Sequence, residues 1–197
     1  VVLYLLFLTI TFAVIWKVYT ILSGESYVRI TAYSEYYFIT MPVVFLVRLI
    51  GIDAGSQLDL SGEGLSNLIT YEYEGSTVWL GIGTGCSGLY SAGLFFSAFL
   101  AFVLVRYRNV DRYILTALAI GFAVTWFSNI LRMVITILIG SLYGHPALTF
   151  VHSYIGILIF VAFVTVFWFP VVRWLDRVEG DRQAPGQTEE RASPQQS

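Results

Sequence analysis

The single thiol of this 197-residue chain, Cys86, lies in Gly83-Thr-Gly-Cys-Ser-Gly-Leu-Tyr-Ser, where a long apolar run begins. Glycines on both sides let other backbone come close, and a helix starting here would present amide groups and a positive dipole end to the sulfur. That setting is expected to lower a thiol pKa and favour the nucleophilic thiolate. Arg132 stands in Ser128-Asn-Ile-Leu-Arg-Met, inside another apolar run, with Asn129 three residues earlier on the same helical face. A charge at membrane depth is costly and usually functional, and a guanidinium fork can hold a thiolate, an oxyanion or a carboxylate. His152 opens His152-Ser-Tyr-Ile-Gly156, with glycine one turn later on its own face. It is a candidate general base and acid. The plain alternatives are a buried apolar cysteine, an arginine snorkelling to headgroups and a histidine capping its helix. The second histidine, His145, precedes Pro146 and reads as solvated.

The elements that must carry these residues are membrane helices. The chain is 57% hydrophobic, 17% aromatic and 12% charged, with a mean hydropathy of +0.74, which excludes an ordinary soluble globule. The net charge of −2 offers no basic field for nucleic acid. One cysteine excludes an internal disulfide and a CxxC metal or redox site, and neither cofactor nor metal is expected. Apolar runs near 2–22, 36–52, 88–105, 113–139 and 148–172 approach or exceed the roughly 20 residues that cross a bilayer. The first is read as a span rather than a cleaved signal peptide. The second is interrupted by Pro42 and Arg48. Between 53 and 85, short alternating segments such as Ile69-Thr-Tyr-Glu-Tyr-Glu and Thr77-Val-Trp-Leu predict a small hairpin outside the bilayer. The expected fold is an all-α polytopic membrane helix bundle of about five transmembrane helices with a β-hairpin-like outer loop. It is one transmembrane domain over 1–175 followed by a disordered cytoplasmic tail over 176–197.

Charge sets the expected orientation. Arg106, Arg108 and Arg112 share one loop, and Arg173, Arg177 and Arg182 follow the last run, so both groups belong on the cytoplasmic side. No basic residue lies between Arg48 and Arg106, whereas Asp53, Asp59, Glu63, Glu72 and Glu74 do, which turns the hairpin outward. Lys17 and Arg29 fit an inner loop, and the visible N-terminus falls outside. Cys86, Arg132 and His152 then reach the same outer face, Arg132 roughly 28 Å up its helix at 1.5 Å per residue.

Gly85-Cys-Ser-Gly-Leu-Tyr-Ser, Asn129-Ile-Leu-Arg132 and His152 with Gly156 resemble, in order and spacing, the Cys, Arg and His signature of exosortases and archaeosortases. The resemblance covers residues of roughly 80 to 160. It implies a plasma-membrane cysteine transpeptidase of prokaryotes, archaea included. Its partners would be secreted proteins that end in a short motif, a transmembrane helix and a basic cluster, and a lipid or surface group would accept the product. Carried over, Cys86 attacks the scissile carbonyl, Arg132 stabilises negative charge and His152 moves protons, with Asn129, Ser87, Gly88 and Gly156 in support. Such proteins often have about eight spans. In some archaeal members the third catalytic position resembles arginine, for which Arg173 is the counterpart, although charge puts Arg173 at the inner face. Two rivals stand beside this reading. Gly85-Cys-Ser-Gly88 also satisfies the Gly-x-Ser-Gly pattern of rhomboid-type serine proteases, with Ser87 as nucleophile and His152 as partner. Alternatively, Arg132 and His152 line a transporter or anion site.

Overall fold

The computed structural model describes residues 2–22, 32–60, 67–83, 86–107 and 111–191. Arg29, Glu63, Thr84, Gly85 and Arg108, used above, lie outside them. The protein is mostly helical with one small antiparallel sheet. Helix α1 is Val2–Leu22, followed by a π-turn at Tyr36–Thr40 that runs into α2, Met41–Leu49. Strands β1 (Ala54–Leu58), β2 (Asn67–Tyr73) and β3 (Ser76–Ile82) come next. Helices α3 (Leu89–Arg106) and α4 (Arg112–Tyr143) form a long pair. The short α5 (His145–Phe150), a π-turn at Val151–Ile155 and α6 (Gly156–Arg191) complete the chain.

Among the described residues, three stretches are long and apolar enough to cross a bilayer: Leu89–Arg106, Arg112–Tyr143 and His145–Glu179. The five expected crossings are thus not all of that character. The run expected over 36–52 is the clearest departure. Its helical stretch is continuous over 32–49 but is interrupted by the π-turn at Tyr36–Thr40, which leaves a purely α part of nine residues, Met41–Leu49, and it is not among those three. Pro42 removes an N–H where the π-turn passes into the α-helix, and the Phe38 carbonyl four residues earlier accepts from Trp126 Nε1 at 2.8 Å; Arg48 Nε leaves the helix end to bond the Ala54 carbonyl at 2.6 Å. This helix is a support for the sheet. Helix α1 packs along α3, where Gly93 lets Ile15 come close (3.9 Å from an added Cβ) and Ser97 and Ala101 continue the buried stripe. Helix α6 passes through 175 and 176 without a break.

The expected hairpin is present, with β1 added as a third strand in the order β1-β2-β3. Register runs Ala54↔Tyr71 to Leu58↔Asn67 on one side and Asn67↔Ile82 to Tyr73↔Ser76 on the other. Glu74 (φ 50°) and Gly75 (φ 74°) close a two-residue turn with both central φ positive, the geometry that suits the right-handed twist of a hairpin. Alternation along β2 buries Asn67, Ile69 and Tyr71, and the strand packs against α4.

Two cores result. An aliphatic one joins α2, the sheet and the C-terminal half of α4 through Val43, Val47, Ile69, Ile82, Ile130 and Ile137. An aromatic one joins α3, the N-terminal half of α4 and α6, with Phe95 and Phe167 rings 5.3 Å apart and Phe102 and Trp168 also 5.3 Å apart. Beside the aromatic core the end of α3 is tied to the middle of α6 by Arg106 and Asp176 at 3.2 Å.

Candidate functional site

Cys86 occupies a turn, 86–88, between β3 and α3. The amides of Cys86 and Ser87 both donate to the Gly83 carbonyl, at 2.8 and 3.0 Å, so they close the turn rather than face an anion. Gly88 has φ +82°, and a Cβ there would come within 2.8 Å of Asn129 Cγ. Both the left-handed backbone and the close approach of Asn129 therefore require glycine. Ser87 is buried at 6% exposure, and its Oγ accepts from the Leu89 amide at 3.5 Å, at the start of α3.

The three residues singled out from three distant runs meet here. Cys86 Sγ lies 3.3 Å from His152 Nε2. Arg132 donates through Nη2 to the Cys86 carbonyl at 3.2 Å, and Asn129 donates through Nδ2 to the same oxygen at 3.1 Å. Asn129 and Arg132 share a face of α4 because they are three residues apart. His152 lies in the π-turn Val151–Ile155, an insertion that re-aims a side chain within an otherwise continuous helix and recurs at functional sites. Gly156 starts the next turn. A Cβ there would meet Arg132 Cδ at 2.7 Å, so the glycine leaves the arginine its path to the Cys86 carbonyl.

The expected low thiol pKa is corrected. Burial pushes the Cys86 thiol up, and this outweighs the opposing pull of the Arg132 guanidinium and of a backbone hydrogen bond at Gly83, while Glu35 pushes the same way as burial. Desolvation of the sulfur is the largest influence, and the amides of Cys86 and Ser87 are turned to the Gly83 carbonyl.

His145 begins α5, ahead of the π-turn that carries His152, and Arg173 stacks its guanidinium 4.0 Å from the Phe169 ring centre on α6. His152 Nε2 lies against Cys86 Sγ, while Ser87 Oγ is turned to the helix start and to Glu35.

Glu35 and Asn67 were not marked by sequence reasoning. Asn67, fully buried in β2, donates to the Ala32 carbonyl at 3.1 Å and to Glu35 Oε2 at 3.3 Å. Burial raises the Glu35 carboxyl, opposed by hydrogen bonds from Ser87 and Asn67. Glu35 thus connects the sheet to the cysteine turn. Its one sequence signal was a carboxylate placed directly before an apolar helix.

A thiol and an imidazole in hydrogen-bond reach, with an arginine and an asparagine on the cysteine carbonyl, lie together in a protein whose long apolar helices suit a membrane. Residues 3–169, more than half of the chain, match the family of transmembrane exosortases. The chain belongs to the exosortase family, whose members are membrane cysteine transpeptidases acting on secreted proteins with C-terminal sorting signals. No curated protein matches it, and neither does any solved structure.

Proposed function

We propose that this protein cleaves the C-terminal sorting signal of secreted proteins with Cys86 as nucleophile and passes the acyl group to a lipid or cell-surface acceptor. The observation that carries this reading is the 3.3 Å separation of Cys86 Sγ and His152 Nε2. The raised thiol pKa makes the neutral pair the resting form, so the proton moves as attack occurs. With its ring proton on Nδ1, His152 accepts the thiol proton at Nε2 while sulfur bonds the scissile carbonyl carbon. The carbonyl π electrons move to oxygen, and the Arg132 charge beside the Cys86 turn stabilises that oxyanion. Collapse breaks the C–N bond, and the amine of the departing segment takes the proton from His152. A thioester remains. An acceptor nucleophile then loses its proton to His152, attacks the thioester and releases the Cys86 sulfur, which recovers a proton from the imidazolium. Asn129 and Gly88 hold the turn through the Cys86 carbonyl, and Gly156 gives Arg132 room.

The site faces away from the cytoplasm in this reading. Arg106, Arg112, Arg173 and Arg177 lie toward the opposite ends of the long helices from the cysteine turn, in accord with basic residues staying inside. The test is processing of a co-expressed secreted reporter that carries a C-terminal motif, transmembrane helix and basic cluster. Cys86→Ala abolishes processing and Ser87→Ala largely preserves it; the reverse result would sink the cysteine mechanism. An impermeant thiol reagent added to intact cells labels Cys86, and protection until the membrane is opened would refute the outward-facing site.

A further inference from the structure

A cavity of about 240 Å³ lies against the cysteine turn, bounded by Ser87, Gly88 and Ala92 on one side and Phe122, Thr125 and Asn129 of α4 on the other. Ile39 of the first π-turn and Trp126 close it, and Trp126 is fixed by its Nε1 donating to the Phe38 carbonyl at 2.8 Å. Its walls are largely apolar, yet two of its polar side chains are almost wholly buried and incompletely bonded. Thr125 is 3% exposed and Asn129 is 5% exposed, and neither Thr125 Oγ1 nor Asn129 Oδ1 has a hydrogen-bond partner among the described residues. Asn129 Nδ2 is committed to the Cys86 carbonyl, which leaves Oδ1 as a pure acceptor. A buried acceptor without a partner costs on the order of 1–3 kcal/mol, and donors arriving with a ligand remove that cost.

We propose that this cavity is the subsite for an apolar residue of the substrate adjoining the scissile bond, with a backbone N–H of that segment donated to Asn129 Oδ1. The proposal rests on Cys86 being the nucleophile. A cavity of roughly 150 Å³ lined by apolar side chains holds benzene, so this one has room for a leucine or phenylalanine side chain. A lipid tail would fill the apolar volume but carries no donor for the two acceptors. Peptide supplies both the apolar group and the N–H. Asn129 then has two tasks, one amide atom on the nucleophile's own carbonyl and the other on substrate, which couples correct occupancy to the geometry of the turn.

The test uses the full chain purified in detergent and short peptidyl chloromethyl ketones with glycine, leucine or phenylalanine next to the reactive carbon. Cys86 sulfur forms a C–S bond to the methylene, chloride departs and the thiol proton goes to His152 or buffer. Alkylation rates from intact mass are normalised to those of iodoacetamide, which reports the thiol alone. The leucine and phenylalanine probes react at least ten-fold faster than the glycine probe. Ala92→Phe, which fills the cavity, removes that preference, and Thr125→Val lowers it about three-fold with iodoacetamide rates unchanged. Equal normalised rates for all probes, or a preference intact in both variants, overturn the subsite while leaving the nucleophile standing. Phospholipid that slows every probe without regard to the peptide residue assigns the cavity to an acyl chain and also overturns it. Reporter processing that survives Cys86→Ala instead removes the nucleophile reading itself.

Discussion

The aliphatic core and the aromatic core hold α4 at different points along its length, yet only the first has buried polar side chains and the thiol of Cys86 packed against it. Around Ile69, Ile130 and Ile137 the structure buries Asn67, Ser128, Asn129 and Thr136, and Cys86 packs against that cluster. Around Phe95, Phe99 and Phe167 the packing is of rings, and Gly121 exists to admit the Phe95 ring. The aromatic core fixes helices by area, since each ring buries 150–250 Å². The aliphatic core fixes them by shape, with small residues where a polar chain must pass: Gly88 under Asn129, Gly156 under Arg132 and Gly140 under Tyr71 and Leu148. Stability and chemistry are therefore supported by different residue types at different depths.

The sharpest way to break this division is at the site. Cys86→Ala should lower reporter processing by at least about 10³-fold, the scale of removing a catalytic nucleophile, with the folded fraction unchanged by gel filtration. Arg132→Gln should cost about 10²–10³-fold, the scale of losing one oxyanion donor. Processing within a few-fold of wild type in Arg132→Gln would reduce the arginine to an anchor of the turn. Gly156→Val should cost about ten-fold, because the added carbons occupy the path of Arg132 Cδ and a misplaced catalytic group is expensive. The aromatic core answers differently. Phe99→Ala empties a site that is 3% exposed and should cost about 3–5 kcal/mol, read as a lower thermal midpoint. Processing per folded molecule should stay within two-fold. A specific loss of activity in Phe99→Ala would erase the distinction between the two cores.

How much of this was written in the sequence depends on whether the signal is local. Length and apolarity placed α1, α3 and α4 within a few residues of their ends, because a bilayer-crossing run is a one-dimensional property, whereas the last helix runs on to Arg191, well past the apolar run that ended near 172. The turn at Glu74-Gly75 followed from alternation and a glycine. Cys86, Arg132 and His152 could be placed at one depth, since each was an unusual residue at the end of an apolar run, and the structure brings them into contact. Strand β1, Ala54-Gly-Ser-Gln-Leu, had no strong β residue and is a strand because β2 offers an edge. The run over 36–52 looked like an unbroken α-helical span, and its composition does not show the π-turn at Tyr36–Thr40 or the packing of Met41–Leu49 on β1. The thiol pKa was misjudged for a similar reason: burial of the sulfur is the dominant influence on it, and that burial is a fact of three-dimensional closure. Glu35 and Asn67 were hidden because their importance lies in a contact across 32 residues.

The smallest expected effect concerns Glu35 and gives the finest measure of how the polar side of the aliphatic core is arranged. The Cys86 thiol titrates above its ordinary value chiefly because it is buried; Arg132 lowers it, and Glu35, the weakest of the named influences, raises it. Iodoacetamide reacts with the thiolate, so alkylation of Cys86 rises as pH climbs through that value. Removing the cation in Arg132→Gln disfavours the thiolate and should move the midpoint to higher pH. Removing the anion in Glu35→Gln favours it and should move the midpoint down, by less than Arg132→Gln moves it up. Glutamine keeps an oxygen for Ser87 and Asn67, so the link from β2 to the cysteine turn is retained while the charge is lost. An upward shift in Glu35→Gln would mean that Glu35 acts on the thiol by holding the turn rather than by its charge, and the carboxylate would then belong with the shape-determining residues of this core.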